Sequence, residues 1–155
     1  MTQTPDLNSR FTPSVDLEIF NESGYSIPVE EETLLRILHD ISLGENVVFS
    51  EVEVAYVSEN DIIKTNWEFL QRDYVTDIIT FSYHEDSTIE PVEGTLYCCA
   101  PRIYEQAREL GENSYDEFLR VFIHGVLHLC GYEDALKEQK YVMREKENYY
   151  LKTYI

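Results

Sequence analysis

The sequence predicts one α+β domain, a mixed sheet of about four strands flanked by helices. Three observations carry this expectation. The chain has 155 residues, 43% of them hydrophobic, enough for one core and short for two domains. Strand-favouring segments cluster in its first two thirds, and helical periodicity dominates both flanks. The single domain therefore spans residues 1–155, with polar residues 1–16, which include Pro5 and Pro13, read as a loose arm.

Residues 17–20 form a short strand candidate. Pro28 opens a segment in which Leu34, Ile37, Leu38 and Ile41 recur at helical spacing until Gly44 stops it. Alternation then takes over at 47–57, where Val48, Val52, Val54 and Tyr56 favour a strand. Ser58 followed by Asp61 opens a helix to about Leu70, by a weaker relative of the capping box. Residues 76–83 are β-rich, 84–93 form an acidic loop, and 95–99 return to strand. Pro101 at a first helical position and Gly111 just past the end bracket the next helix. Ser114 and Glu117 have the spacing of a capping box for a helix running toward Gly131. An amphipathic stretch from Leu136 to about Tyr150 completes the order.

Composition narrows the function. Thirty acidic against twelve basic residues give a net charge of −18, which repels polyanions at long range. Generic nucleic-acid binding is disfavoured, and phosphate recognition would need a local basic cleft, a bound dication or a protein partner that supplies the attraction. No positively charged leader precedes an apolar stretch, and no run is long and apolar enough to span a bilayer. A cytoplasmic protein without a membrane partner is expected. Three cysteines are an odd number, and neighbouring Cys98 and Cys99 point to opposite faces of a strand, so reduced thiols fit that compartment.

Chemistry concentrates at His124 and His128. Four residues apart in a helix, their imidazoles project from one face and can share a metal. Spacing alone is a weak signal. Gly131 lets the chain leave the helix through a left-handed turn, however, and Asp134 can then fold back as a third ligand. Three protein ligands leave an open position, where water is activated for hydrolysis. The competing explanation is that both histidines are hydrogen-bonded residues beside the core positions Phe122, Val126, Leu127 and Leu129. Zincin peptidases carry a glutamate base beside the first histidine. Gly125 stands there instead, which leaves a metzincin-like peptidase as an alternative matched in ligand spacing but not in its base.

The segment HGVLHLCGYED, residues 124–134, resembles the YbeY family signature H-G-x-L-H-L-x-G-Y-D-H, including the glycine. TDIITF, residues 76–81, is similar to the family's T-D-V-L-S-F strand. Asn66, Met143 and Glu147 also fall where that family places an Asn, a Met and a Glu. The matches extend over roughly residues 60–147. The resemblance implies a zincin-like domain and a metal-dependent, single-strand-specific endoribonuclease. It further implies work in ribosomal RNA maturation and ribosome quality control, with ribosomal single-stranded RNA as substrate and the ribosome or its proteins as partners. A metal-activated water would attack the phosphodiester, with no separate catalytic side chain assigned.

Some positions depart from the family pattern. Asp134 stands where the third histidine is usual and Glu133 where the Asp is usual. Leu70 replaces an Arg, Arg72 occupies a Lys position, and Thr95 replaces an Asp in Gly94-Thr95-Leu96. The expected ligands are His124, His128 and Asp134, and the expected ion is one zinc. A carboxylate makes the site harder, so manganese or nickel are further candidates.

Arg72 and Arg102 are candidates for holding an RNA phosphate, weighed against solvent-facing salt bridges in an acidic protein. Met143 and Glu147 share a helical face and read as core filling plus an exposed charge, with a minor supporting role for Glu147. Cys130 is a soft-ligand candidate that reads better as a small buried residue. His39 and His84 receive no role. Tyr141, Tyr149, Tyr150 and Tyr154 read as packing, with base stacking as the alternative. A ribosome-assembly binding factor with a structural metal is the remaining alternative, favoured by the missing Arg and the charge.

Overall fold

The computed structural model describes residues 15–155, so the arm expected at 1–16 lies outside the described residues except at its end. There Val15 packs on the core and Asp16 already opens β1 (Asp16–Asn21). Next come α1 (Glu31–Glu45), β2 (Phe49–Val57), α2 (Glu59–Leu70), β3 (Ile78–Ser82) and β4 (Val92–Cys99). Three helices follow: α3 (Ala100–Leu110), α4 (Ser114–Leu129) and α5 (Lys137–Leu151). The α+β expectation holds, with one four-stranded mixed sheet in the order β1-β2-β4-β3. β1 and β4 run parallel to β2, and β3 runs antiparallel to β4 at the edge.

Alternation along the strands divides the interior. Val52, Val54, Tyr56, Leu96 and Cys98 face the main core with residues of α1, α3, α4 and α5. Ala55, Val57, Ile79 and Cys99 face the other way, against Ile62 of α2. Between residues 117 and 129 of α4 only Arg120, His124 and His128 escape burial. A helix apolar almost all round belongs in the core, so these three polar residues, spaced by four, mark the one stripe that reaches solvent. Among the described residues no helix is long and apolar enough to cross a membrane.

Several helix ends differ from expectation. Gly44 lies inside α1, which ends at Asn46 in the left-handed region. A Cβ at Gly44 would lie 2.1 Å from Tyr150 Oη, so that glycine serves close packing of α5 rather than termination. Pro101 occupies the second residue of α3, not the first. Ser58 caps α2 as expected, accepting from Asp61 N–H at 3.2 Å. At α4 the cap is Asn113, whose Oδ1 accepts from Asp116 N–H at 2.8 Å. Ser114 is already helical and Glu117 turns into the interior, since an Asn one position earlier can satisfy the same free amides.

Candidate metal centre

The C-terminus of α4 builds the site. Gly131 takes φ +104°, and two hydrogen bonds close the turn: Gly131 N–H to His128 O at 2.9 Å, and Tyr132 N–H to Leu127 O at 3.1 Å. This is a Schellman arrangement, which needs the left-handed residue that glycine supplies cheaply. It reverses the chain so that Asp134 returns over the exposed stripe of α4. Asp134 does not cap α5, whose first free amide, Leu136 N–H, is taken by Gln139 Oε1 at 2.9 Å.

Three ligand atoms then converge. His124 Nε2 and His128 Nε2 are 3.0 Å apart, and Asp134 Oδ2 lies 3.3 Å from the first and 3.6 Å from the second. A tetrahedral ion bonded at about 2.0–2.1 Å separates its ligands by about 3.3–3.4 Å, so these spacings fit such an ion. The trio could hold a metal. Ring orientation supports the same use. His124 Nδ1 is 2.7 Å from Glu147 Oε2, and His128 Nδ1 is 2.8 Å from the Tyr132 carbonyl oxygen. Each acceptor draws the ring proton to Nδ1 and leaves the Nε2 lone pair facing the convergence point.

Glu147 is the residue whose weight the sequence hides. Rather than an exposed charge on α5, it is 5% exposed, and besides His124 it accepts from Arg120 at 3.0 Å. Burial alone would raise its carboxyl, but the His124 hydrogen bond and Arg120 outweigh that and hold it below the usual carboxylate range. Burial likewise disfavours the His124 imidazolium, yet Glu147 and Asp134 raise it above the ordinary histidine value. The signal available in sequence was an acidic residue on the apolar stripe of Met143, Tyr150 and Leu151, all buried.

Gly125 has a different cause from Gly131. A Cβ there would lie 2.6 Å from Ile78 Cδ1 and 3.0 Å from Leu96 Cδ2, so α4 rests directly on β3 and β4. A glutamate at this position would enter the sheet rather than the cleft. The base of the peptidase alternative has no room.

The trio opens into a cleft of about 450 Å³. His124, His128, Glu133 and Asp134 form one wall, and β3, the loop 71–77 and the end of α2 form the other. Among the described residues Arg72 is the single cation lining it; Asp77 shares its wall, and Glu133 and Asp134 lie on the other. Asn66, buried on α2, shapes the loop by donating to the Tyr74 carbonyl at 3.0 Å, and Leu70 and Tyr74 add exposed apolar surface at the rim. Arg102 does not line the cleft. Its guanidinium pairs with Glu105 and Glu109 on its own helix. The Cys130 thiol is pushed up to about 12 by burial and lies outside the trio. Thr95 is buried and accepts from Tyr83 Oη at 3.1 Å, and the His84 ring accepts from Glu93 N–H at 3.1 Å, closing the base of the acidic loop. Tyr150 and Tyr154 are packing residues bonded to Glu45 and Asp40, whereas Tyr141 and Tyr149 are exposed.

Comparison with known proteins shows the family. The family model described as Endoribonuclease YbeY matches residues 21–155. A protein of that name from Chlorobaculum tepidum is 38% identical over 136 residues, 87% of this chain and 95% of the relative. One from Flavobacterium psychrophilum is 31% identical over 144 residues, 93% and 94% of the two chains. The solution structure of a Thermotoga maritima protein aligns with a TM-score of 0.63 at 33% identity, over 88% of this chain and 87% of that one.

Proposed function

The chain belongs to the YbeY family of endoribonucleases, and from that premise we propose that it is a metal-dependent, single-strand-specific endoribonuclease of ribosomal RNA maturation and ribosome quality control. The observation that carries the metal dependence is the convergence of His124 Nε2, His128 Nε2 and Asp134 Oδ2 at 3.0–3.6 Å, with both Nδ1 atoms tied elsewhere. In this reading those three side chains hold one divalent ion, zinc before manganese or nickel. Once bound, the ion supplies Lewis acidity at the scissile phosphate and water activated near neutral pH.

The chain's own residues do the rest. Glu147 and the Tyr132 carbonyl hold the two imidazoles in the ligating tautomer. Arg72 pairs with an RNA phosphate in the cleft, while Leu70 and Tyr74 offer a surface to unpaired bases. Because three carboxylates share the cleft with one Arg and the net charge is −18, affinity for isolated RNA is weak and falls with salt. Engagement in the cytoplasm then depends on the ribosome or its proteins. The same imbalance of charge favours a second reading, an assembly factor that binds without cutting.

Cleavage by the purified, zinc-loaded chain separates the two. A labelled single-stranded RNA should be cut and a chelator should stop it; binding without cutting would favour the assembly factor, and cleavage of unfolded casein the peptidase. Asp134 gives the sharpest test of the ligand set. Asp134→Ala should weaken zinc binding by roughly 100-fold, since even partners outside the ligand shell are worth 10–100-fold. Asp134→His should retain zinc and lose preference for harder ions. Undiminished affinity in Asp134→Ala would remove this carboxylate from the site.

A further inference from the structure

The nuclease reading assigns no side chain to take the proton from the attacking water. Helix α4 cannot provide one, because Gly125 is packed against Ile78 and Leu96. Among the cleft-lining side chains, five can accept a proton. His124 and His128 have their Nδ1 atoms bonded and their Nε2 atoms at the convergence point. Asp134 shares that point. Glu133 is exposed and has no hydrogen-bond partner among the described residues. Asp77 remains.

Asp77 is held through both its backbone and its side chain. It directly precedes β3, and its carbonyl accepts from Cys99 N–H at 2.8 Å, which anchors the backbone independently of the side chain. Its neighbour Ile78 packs against Gly125, the residue after His124, so Asp77 stands at the His124 end of the cleft. Gln106 Nε2 on α3 donates to Asp77 Oδ2 at 3.1 Å and to Glu117 Oε2 at 2.7 Å. One amide has two hydrogens, one for each carboxylate. Asp77 Oδ1 has no partner among the described residues.

Glu117 is otherwise unexplained. It is 3% exposed, on the same stripe of α4 as His124, two turns earlier. A carboxylate buried there costs more than an apolar residue of similar size. A polar chain from Glu117 through Gln106 to Asp77 accounts for it as support for a group in the cleft.

We propose that Asp77 is the proton acceptor of the cleavage reaction, with Gln106 and Glu117 as its positioning residues. This assignment rests on the nuclease reading. Asp77 Oδ1 takes one proton from water as the water oxygen bonds to phosphorus. The bond from phosphorus to the leaving sugar oxygen breaks, and that oxygen takes a proton from solvent. Asp77 returns its proton to solvent, leaving a phosphomonoester and a hydroxyl.

The test uses the full chain with zinc and a labelled single-stranded RNA, with zinc affinity measured by calorimetry beside turnover. Asp77→Asn should lower kcat by about 10²–10⁴-fold and leave KM and zinc affinity unchanged. Formate should restore part of the activity of Asp77→Ala and none of it in Asp134→Ala. Gln106→Met should lower kcat by roughly tenfold to a hundredfold at unchanged KM, which a purely structural role in folding would not do. Full activity in Asp77→Asn, loss of its zinc, or no response to formate would each overturn the assignment while the nuclease reading stands. Zinc-loaded wild-type chain that leaves RNA intact would overturn the nuclease reading, and Asp77's role with it.

Discussion

Two carboxylates withdrawn from solvent, the half-buried Glu45 at the end of α1 and the buried Glu147 on α5, are both desolvated and are satisfied in different ways. Glu45 accepts from the hydroxyls of Tyr132 and Tyr150 and from Lys146 Nζ at 3.1 Å. Those bonds outweigh burial and hold its carboxyl below the usual range. Glu147 is held down in the same sense by His124 and Arg120. The partners of Glu45 end the chain of bonds: two phenols and an ammonium tie α1 to α5 and to the turn after α4. One partner of Glu147 continues it, because His124 passes the orientation on to an Nε2 facing the cleft. Tyr132 connects the two clusters, with its hydroxyl on Glu45 and its carbonyl on His128. Burial and hydrogen bonding alone therefore do not mark a functional carboxylate; what marks it is a partner whose second atom is left pointing at an open space.

The comparison breaks first at Glu147. Glu147→Ala leaves Arg120 without its buried partner and frees the His124 ring. Zinc affinity should fall by about 10–100-fold and unfolding free energy by about 3 kcal/mol, read by metal titration and denaturant melts. An unchanged affinity would make Glu147 as structural as Glu45.

Glu45→Gln should cost about 1–3 kcal/mol with zinc affinity within threefold of wild type. Its effect should also depend on pH. The folded carboxyl of Glu45 lies below its ordinary value, so the stabilisation is fully present above the unfolded value of about 4.3 and is lost as pH falls through the folded one. The gap in melting temperature between wild type and Glu45→Gln should be constant near neutrality and close in acid. A gap that widens in acid would reverse the sign argued here. Tyr132→Phe is the smallest change. It removes the hydroxyl and keeps the carbonyl, so it should cost about 1 kcal/mol without weakening zinc binding; weaker binding would show that Glu45 also holds His128 through the turn.

Much of this was legible in the residues themselves. The order of strands and helices followed from periodicity, and the meeting of His124, His128 and Asp134 from their spacing around Gly131, because an i, i+4 pair and a left-handed turn are local properties of the chain. Errors fell where a local rule met packing. Gly44 looked like a terminator and is a contact for Tyr150, and Ser114 yielded the cap to Asn113. Glu117 looked like a capping partner and is buried against Gln106. Arg102 had the right chemistry for phosphate, but its place on α3 gives it Glu105 and Glu109 instead.

By itself, then, the sequence determined the α+β class, the face of α4 that could hold a metal and the family, since each depends on residues near one another in the chain. Only the tertiary structure decided that Glu147 orients His124, that Arg72 and not Arg102 lines the cleft, and that Asp77 meets Gln106 and Glu117. These are contacts between residues 11 to 29 positions apart or placements set by how helices rest on the sheet. No local pattern encodes them, because a side chain's partner across the core depends on the packing of every element between.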